Sequence, residues 1–387
     1  MAPAVIDVRT AEDPRDVVHR AVQALAEGKL VALPTETVYG LAASALHRDA
    51  VRRLAEVKGR HANQPFTLAL KSAEDALDYV PRLSPVAQRL ARRCWPGPLT
   101  LVVDDNHPES LLRQLSADVR QMISPEGCVG LRVPAHDLVL SVLRLTVGPL
   151  ALTSANRTGE GDTVTADEVV QSLGDSVDLV LNDGRSKFGQ PSSVVRVRQN
   201  TVRMLRTGVI SERSLRQLAS YMLVFVCTGN TCRSPMAEVM MRRRIADRLG
   251  CGLEALEDRG VLVHSAGIAA MTGGRASPEA VEVMREMGLD LRDHESQPLS
   301  DRIVRFADLV LTMTRGHLDG ILAHWPAVAP RAALLSRDGG DISDPIGGPP
   351  EMYRRCAQQI DRQLELWLDE IHFEDMLAES DSAATGN

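Results

Sequence analysis

Short apolar runs alternate with longer stretches of helical periodicity along nearly the whole chain. Residues 30–33 read as a buried strand. Residues 50–58 read as a helix with Val51, Leu54 and Val57 on one face. A strand is predicted over 66–70 and a helix over 85–94, whose first turn suits Pro85. Residues 99–103, 129–133 and 150–153 read as strands. Residues 193–197 and 202–205 read as a hairpin around Arg198, Gln199 and Asn200. Near residue 210 the pattern restarts with a short amphipathic stretch over 211–220. Then Met222, Leu223, Val224, Phe225 and Val226 form a continuous apolar run suited to a central parallel strand. Helix, strand, helix and strand follow over 236–249, 261–265, 278–287 and 309–313, with a last helix over 351–371. The order of elements predicts an α/β fold.

The chain has 387 residues, room for two or three domains at roughly 100–200 residues each. Met222 stands where an independent second gene would begin, although a core methionine would look the same. The expected boundaries are a domain over 14–210, a linker over 211–221, a second domain over 222–371 and a disordered tail over 372–387. Aromatic residues are only 3%, so the cores must rest on Leu, Val, Ala and Met. A net charge of −7 gives no general attraction to nucleic acid, so any RNA contact needs a local basic patch. The six cysteines are scattered, which predicts reduced thiols and a cytoplasmic protein. No window reaches 18 apolar residues and the first residues lack a basic region before an apolar one. Neither a membrane span nor a signal peptide is expected.

The segment after the apolar run at 222–226 reads Cys227, Thr228, Gly229, Asn230, Thr231, Cys232, Arg233, Ser234, Pro235. A thiol, five residues and an arginine let a backbone curl so that successive N–H groups face an oxyanion. Gly229 is expected to take the unusual φ in this curl. Arg233 can bind two phosphate oxygens in parallel, and Pro235 suits a first helical position. Helix N-termini and cations lower a thiol pKa, so Cys227 is expected to be largely thiolate and to attack phosphorus. Asp344, followed by Pro345 in a Gly/Pro-rich loop, is the candidate acid for the leaving group and base for the attacking water. Alone, an Asp-Pro pair reads as a turn. Cys232 either forms a protective disulfide with Cys227 or is a plain structural thiol.

With its Cys227–Ser234 loop, Ser265, Ala266 and Gly267, and the late Asp344 and Pro345, the segment 222–370 resembles the low-molecular-weight protein-tyrosine phosphatases. The resemblance implies a four-stranded parallel sheet with helices on both faces, a phosphate loop of Thr228, Gly229, Asn230, Thr231, Cys232 and Ser234, and no cofactor. Ile346, Gly347 and Gly348 stand where members acting on phosphotyrosine carry aromatic residues. Thr231 replaces a larger aliphatic residue, and the loop is similar to that of protein-arginine phosphatases in this family. Their threonine hydroxyl, by this resemblance, helps position water and the polar leaving group. A phosphoarginine protein is therefore the expected substrate, with phosphotyrosine protein as the competing one. An arsenate reductase is a further alternative.

Residues 14–215 contain neither a Walker loop nor a GxGxxG fingerprint. They carry spaced polar clusters at strand ends: Thr35 after the first strand, Lys58 and Arg60 after a helix, Arg132 in a strand, Ser154 and Asn156 after another, Ser192 before one, and Arg206 at the end of one. Singly, these read as helix-end charges or turn residues. Together they offer four cations and several hydroxyls, enough for a triphosphate and a small polar ligand.

These clusters, with Val38, Tyr39, Gly40 and Leu41 and the stretch 95–100, are similar to the YrdC-type threonylcarbamoyl-AMP synthases. The resemblance implies a twisted α/β sheet domain that makes L-threonylcarbamoyladenylate from L-threonine, bicarbonate and ATP, for modification of tRNA adenosine. Carried over by position, Thr35, Arg132 and Ser192 would hold threonine. Lys58, Arg60, Ser154, Asn156 and Arg206 would hold ATP. Magnesium is expected with the triphosphate, with no metal ligands among the site residues. Partners implied are tRNA or tRNA-modification proteins and no membrane. Three departures, His61, Gln64 and Ala69, touch the expected substrate pocket. They motivate a second reading, in which the N-terminal half is a nucleotide- or RNA-sensing module that regulates the phosphatase.

Overall fold

The computed structural model describes residues 2–59, 65–373, 377 and 379–380. The chain divides into two compact units, one of Met1–Leu218 with the last residues from Glu379, the other of Ala219–Ala378.

The strands of the first unit are β1 (Ala4–Asp7), β2 (Val31–Leu33), β3 (Gly40–Ser44), β4 (Thr67–Ala69), β5 (Leu99–Asp104), β6 (Cys128–Arg132), β7 (Leu150–Ser154), β8 (Leu179–Asn182), β9 (Ser193–Arg198) and β10 (Thr201–Arg206). They form one mixed sheet in the order β1-β8-β2-β3-β7-β4-β6-β5-β9-β10, whose edge is extended by Glu379–Ser380. The hairpin of β9 and β10 turns through Gln199, whose φ of 49° is left-handed. The helices Pro14–Ala26 and Asp137–Leu145 pack Val17, Ala21, Leu25, Val139 and Val142 against Val31, Leu33, Leu150 and Leu181. This is the half-buried pattern that a 3.6-residue period and a two-residue period generate together.

The helix expected over 50–58 starts earlier, at Arg48, because the His47 ring accepts the Ala50 N–H at 3.3 Å and caps it. Imidazole is not among the residues that announce a cap in a sequence. β3 was not expected at all. Its residues, Gly-Leu-Ala-Ala-Ser, lack the β-branched and aromatic side chains that mark strands, yet Leu41, Ala42 and Ala43 are buried between β2 and β7.

The second unit holds β11 (Tyr221–Cys227), β12 (Val261–Gly267), β13 (Leu309–Thr312) and β14 (Ala332–Leu334), all parallel, in the order β12-β11-β13-β14. All seven residues of β11 are buried. Leu223, Phe225 and Cys227 pack on one side with the helices Arg233–Leu249, Pro278–Glu286 and Pro350–Glu370. Met222, Val224 and Val226 pack on the other with Val304 of the helix Asp301–Phe306 and Ile321 of Arg315–His324. Truncating Phe225 to Ala in such a core costs about 3–5 kcal/mol. Of the expected tail, residues 374–376, 378 and 381–387 lie outside the described residues. Phe373 is buried against Tyr221, with ring centroids 5.9 Å apart.

Candidate active sites

β11 ends at Cys227, and the helix Arg233–Leu249 begins six residues later. Between them the chain curls back so that the Asn230 N–H points at Cys227 Sγ, 3.2 Å away, with Ser234 Oγ at 3.0 Å from the same sulfur. The left-handed residue of this curl is Asn230, with φ 55°, and not Gly229 as expected. Asparagine tolerates that conformation when its side chain is held. Here its amide donates to Ser234 Oγ and Ser265 Oγ, both at 2.9 Å, and its carbonyl oxygen accepts from the Gln297 N–H at 2.9 Å. Ser265 in turn donates to Glu238 at 2.6 Å. Gly267 is needed for a different reason: a Cβ there would lie 2.5 Å from the Thr228 carbonyl oxygen and 3.0 Å from the Asn230 nitrogen. The helix begins at Arg233, so Pro235 is its third residue rather than its first; it still lies in the turn where N–H groups lack intrahelical partners.

Arg233 is buried and its guanidinium turns to the loop over 341–345. Nη1 donates to the Ile342 carbonyl at 3.2 Å and Nη2 to Asp344 Oδ2 at 2.5 Å. The Asp344 side chain is 43% exposed, open to a substrate. Thus Cys227, Arg233 and Asp344 come together, from the end of a strand, the start of a helix and a distant loop. Cys227 and Cys232 are both free thiols. The Cys232 thiol donates to Ser277 Oγ at 3.4 Å and sits 3.6 Å from the Tyr353 hydroxyl. Burial pushes the Tyr353 phenol up to about 12. Thr231 Oγ1 lies 3.6 Å from Cys232 Sγ, and the Thr231 carbonyl accepts the Ser277 N–H at 2.9 Å.

Sequence reasoning missed His317. Its Nε2 lies 2.9 Å from Thr228 Oγ1 in the phosphate loop, and its Nδ1 lies 3.0 Å from Thr314 Oγ1, the cap of the helix Arg315–His324. Burial, then the positive Arg233, lowers the His317 imidazole pKa; Asp344 and Asp341 oppose this. No motif marks this residue, because its link to the loop spans 89 residues of sequence.

In the first unit a cavity of about 370 Å³ opens on the sheet. Alternate residues line it, as a two-residue period requires: Thr100 and Val102 of β5, Gly130 and Arg132 of β6, Val194 and Arg196 of β9. Of the expected site residues, Thr35, Arg132, Ser154, Ser192 and Arg206 line it. Arg132 is almost wholly buried and donates from Nη2 to Glu36 at 2.8 Å and to Thr37 Oγ1 at 2.9 Å. Thr35 Oγ1 donates to the Val38 carbonyl at 2.6 Å. Arg206 Nη2 donates to the Ser192 carbonyl at 2.8 Å and Ser192 Oγ lies 3.0 Å from Thr100 Oγ1. Burial lowers the Arg206 pKa below its usual value; Asp162 opposes this and the like charge of Arg132 adds to it. Arg132, Arg196 and Arg206 bring three guanidinium groups to the lining, and although Arg132 is paired with Glu36 the surplus of cations favours an anionic ligand.

Lys58 and Asn156 stand beside this cavity rather than in its wall. The Lys58 ammonium donates to the Ser154 carbonyl at 2.9 Å, to Asn156 Oδ1 at 3.0 Å and to the Asn156 carbonyl. Arg60, His61 and Gln64 lie outside the described residues. Ala69 does not line the cavity, contrary to expectation. It is buried in the apolar cluster formed with the helices Pro14–Ala26 and Asp137–Leu145. Among the described residues no group of three or more His, Cys, Asp or Glu could hold a metal ion. Nor is any helix of the described residues long and apolar enough to cross a membrane.

Two family models match the chain. Residues 23–208 match the Sua5, YciO and YrdC model, described as telomere recombination. Residues 222–377 match the low molecular weight phosphotyrosine protein phosphatase model. A threonylcarbamoyl-AMP synthase of Pyrococcus abyssi is 32% identical over 54% of this chain and 60% of its own length. This chain thus spans less than two thirds of that relative, and 58% of the length of the Bacillus subtilis one. A Mycobacterium leprae protein, provisionally named a threonylcarbamoyl-AMP synthase, is 37% identical over 49% of this chain and 82% of its own. A protein-arginine-phosphatase of Geobacillus stearothermophilus is 36% identical over 40% of this chain and 98% of its own. The crystal structure of P. abyssi Sua5 complexed with L-threonine covers 69% of this chain and 92% of its own, with 21% identity and a TM-score of 0.50, a likeness of fold. The chain therefore belongs to the Sua5–YrdC family through its N-terminal half and to the low-molecular-weight phosphatase family through its C-terminal half.

Proposed function

We propose that this chain is a bifunctional enzyme. Its C-terminal unit dephosphorylates protein phosphoarginine through a phosphocysteine, and its N-terminal unit makes L-threonylcarbamoyladenylate. The observation that carries the first assignment is the loop that starts at Cys227, curls so that the Asn230 N–H and Ser234 Oγ meet the sulfur, and closes at Arg233, which holds Asp344.

In the phosphatase, the Cys227 thiolate attacks phosphorus while Arg233 and the loop N–H groups hold the phosphoryl oxygens. The S–P bond forms and the P–N bond breaks. Asp344 gives its proton to the departing guanidine nitrogen. Water then attacks the phosphocysteine, Asp344 takes its proton, and the S–P bond breaks to release phosphate. Arg233 must exchange its bond with Asp344 for the incoming phosphoryl group, and the released carboxylate must take up a proton from solvent before it can act as the acid. Thr231, at the rim beside Cys232, and the absence of rings after Pro345 favour a polar planar leaving group over a phenol. The relatives named protein-arginine-phosphatase support the same substrate.

In the N-terminal unit, threonine, held by Thr35, Arg132 and Ser192, reacts with bicarbonate to give a carbamate and water. The carbamate oxygen attacks the α-phosphorus of ATP and pyrophosphate leaves. Arg206, Ser154, Lys58, Asn156 and Arg60 hold the nucleotide in this reading, with cations offsetting the charge of the transferring group. Magnesium would accompany the triphosphate and offset its charge. The product would serve tRNA modification, with tRNA or a modification protein as partner. The six free thiols suit the reducing cytoplasm.

The deciding experiment follows pyrophosphate release from ATP with threonine and bicarbonate supplied or withheld. Release that depends on both supports the synthase. ATP binding with no release favours a nucleotide-sensing module.

A further inference from the structure

A second cleft of about 310 Å³ lies in the first unit and adjoins the cavity described above at Thr35, which lines both. Two of its polar side-chain atoms, Ser186 Oγ and His136 Nδ1, are buried and have no hydrogen-bond partner among the described residues. Ser186 is only 8% exposed, and an unpaired buried hydroxyl costs about 1–3 kcal/mol. Such a group calls for an explanation.

The loop that carries Ser186 is pinned from several directions. The Tyr39 hydroxyl donates to the Gly184 carbonyl at 2.7 Å. The Ser186 N–H donates to the Val164 carbonyl at 2.9 Å, and the Phe188 N–H to the Glu36 carbonyl at 2.8 Å. The unpaired hydroxyl is therefore held in place. His136 Nε2 faces Asp183 Oδ2 at 3.2 Å. Burial lowers the His136 pKa, although Asp183, Glu36 and Asp137 oppose this, so the neutral ring is favoured at neutral pH. With Nε2–H donating to Asp183, Nδ1 is left as a lone-pair acceptor. His136 is also the first residue of the cap of the helix Asp137–Leu145, which has no side-chain cap. Its first residues, Asp137 and Leu138, line the cleft, and their backbone N–H groups have no partner within the helix. Arg185 and Lys187 add exposed cations at the rim. Of the carboxylates, Asp183 accepts the His136 Nε2–H but keeps its charge, Glu36 is paired with Arg132 and the Ala135 N–H, and Asp137 is exposed, so the Arg185 and Lys187 cations face two carboxylate charges at the rim.

The cleft thus offers hydroxyl and amide donors beside one unpaired acceptor nitrogen. We propose that it is a binding site for a small oxyanion that keeps one O–H, such as bicarbonate or hydrogen phosphate. The O–H would donate to His136 Nδ1. The anionic oxygens would accept from Ser186 and from the start of the helix. The assignment stands on these groups alone. Bicarbonate would connect it to the proposed synthesis, and hydrogen phosphate would make it a separate effector site.

The test uses the full chain labelled with nitrogen-15 histidine, with the ring signals of His136 assigned through His136→Gln. Sodium bicarbonate and sodium phosphate are titrated separately at constant ionic strength. A saturable shift of the His136 Nδ1 signal is expected with at least one anion, and the anion that produces it identifies the source. Ser186→Val should weaken that anion by about tenfold or more, the loss of one charge-assisted hydrogen bond. Lys187→Glu, on an exposed side chain that the fold does not need, should weaken it severalfold. Absence of a saturable shift with either anion overturns the proposal, as does unchanged affinity in both variants. The readout needs no turnover, so failure of the synthase reading leaves it intact.

Discussion

Arg233 Nη2 and Asp344 Oδ2 lie 2.5 Å apart, so the residue that would clamp phosphate and the residue that would supply the proton are joined by one bond. Replacing Asp344 by Asn keeps a partner for Arg233 but removes the proton. Phosphate affinity should stay near that of the parent, while phosphocysteine formation from phosphoarginine slows by about 10²–10⁴-fold. Rapid-quench measurement of the phosphoenzyme, alongside phosphate inhibition constants, separates the two effects. An Asp344→Asn enzyme that forms phosphoenzyme at the parent rate would remove Asp344 from the mechanism.

The loop geometry gives a second expectation at Gly267. A methyl group there meets the Ala270 Cβ at 2.8 Å and two backbone atoms of the phosphate loop, the Thr228 oxygen at 2.5 Å and the Asn230 nitrogen at 3.0 Å. Neither can move without displacing the phosphate loop. Gly267→Ala should destabilise the C-terminal unit by about 1–3 kcal/mol and abolish most phosphatase turnover. Denaturant midpoints and turnover of a phosphoarginine protein check it. Parent-like values of both would mean the loop is more plastic than its contacts imply.

His317 couples the same loop to pH. Its folded pKa is lowered from 6.5, chiefly by burial and then by Arg233. Between the lowered value and about 6.5 the unfolded chain binds a proton that the folded chain does not, so stability rises with pH there. The contribution is complete above pH about 6.5 and falls away as the pH drops through that window. Melting of the C-terminal unit should therefore shift down between about pH 7 and about pH 5.5 more steeply in the parent than in His317→Asn. Equal slopes in calorimetry would contradict the assignment.

In the first unit, the Lys58 ammonium gathers oxygens of Ser154 and Asn156. Lys58→Ala should remove the tie that shapes the 154–156 turn and, on the proposed reading, a contact to the nucleotide. Threonine-dependent pyrophosphate release should fall by more than about 100-fold, the scale of one lost charge contact to a transferring phosphate. Retained release would place the nucleotide elsewhere.

What the sequence showed, and what it hid, follows from the range of the interactions. β11 and its loop were legible because seven consecutive buried residues and a local motif lie within one short stretch. The apolar periods also placed most of the strands that build the first sheet. β3 escaped because small residues carry no strand signal, and its burial comes from pairing with β2 and β7 and from the helices packed on it. Gly229 drew attention as the flexible residue, but the left-handed turn fell to Asn230, whose side chain is held by Ser234, Ser265 and Gln297. His317 and Tyr353 reach the loop from 89 and 121 residues away. Ala69 was expected at the substrate pocket, yet it packs among apolar residues; a strand's sequence alone does not say which ligand its neighbours face.

The central claim is a cysteine phosphatase directed at phosphoarginine. The most direct measurement compares turnover of one protein carrying phosphoarginine with a phosphotyrosine peptide and with arsenate, using the full chain and its Cys227→Ser variant. The account expects phosphoarginine to be turned over with the highest kcat/KM, and all turnover to vanish in Cys227→Ser. A preference for phosphotyrosine or arsenate, or activity that survives the loss of Cys227, would contradict it.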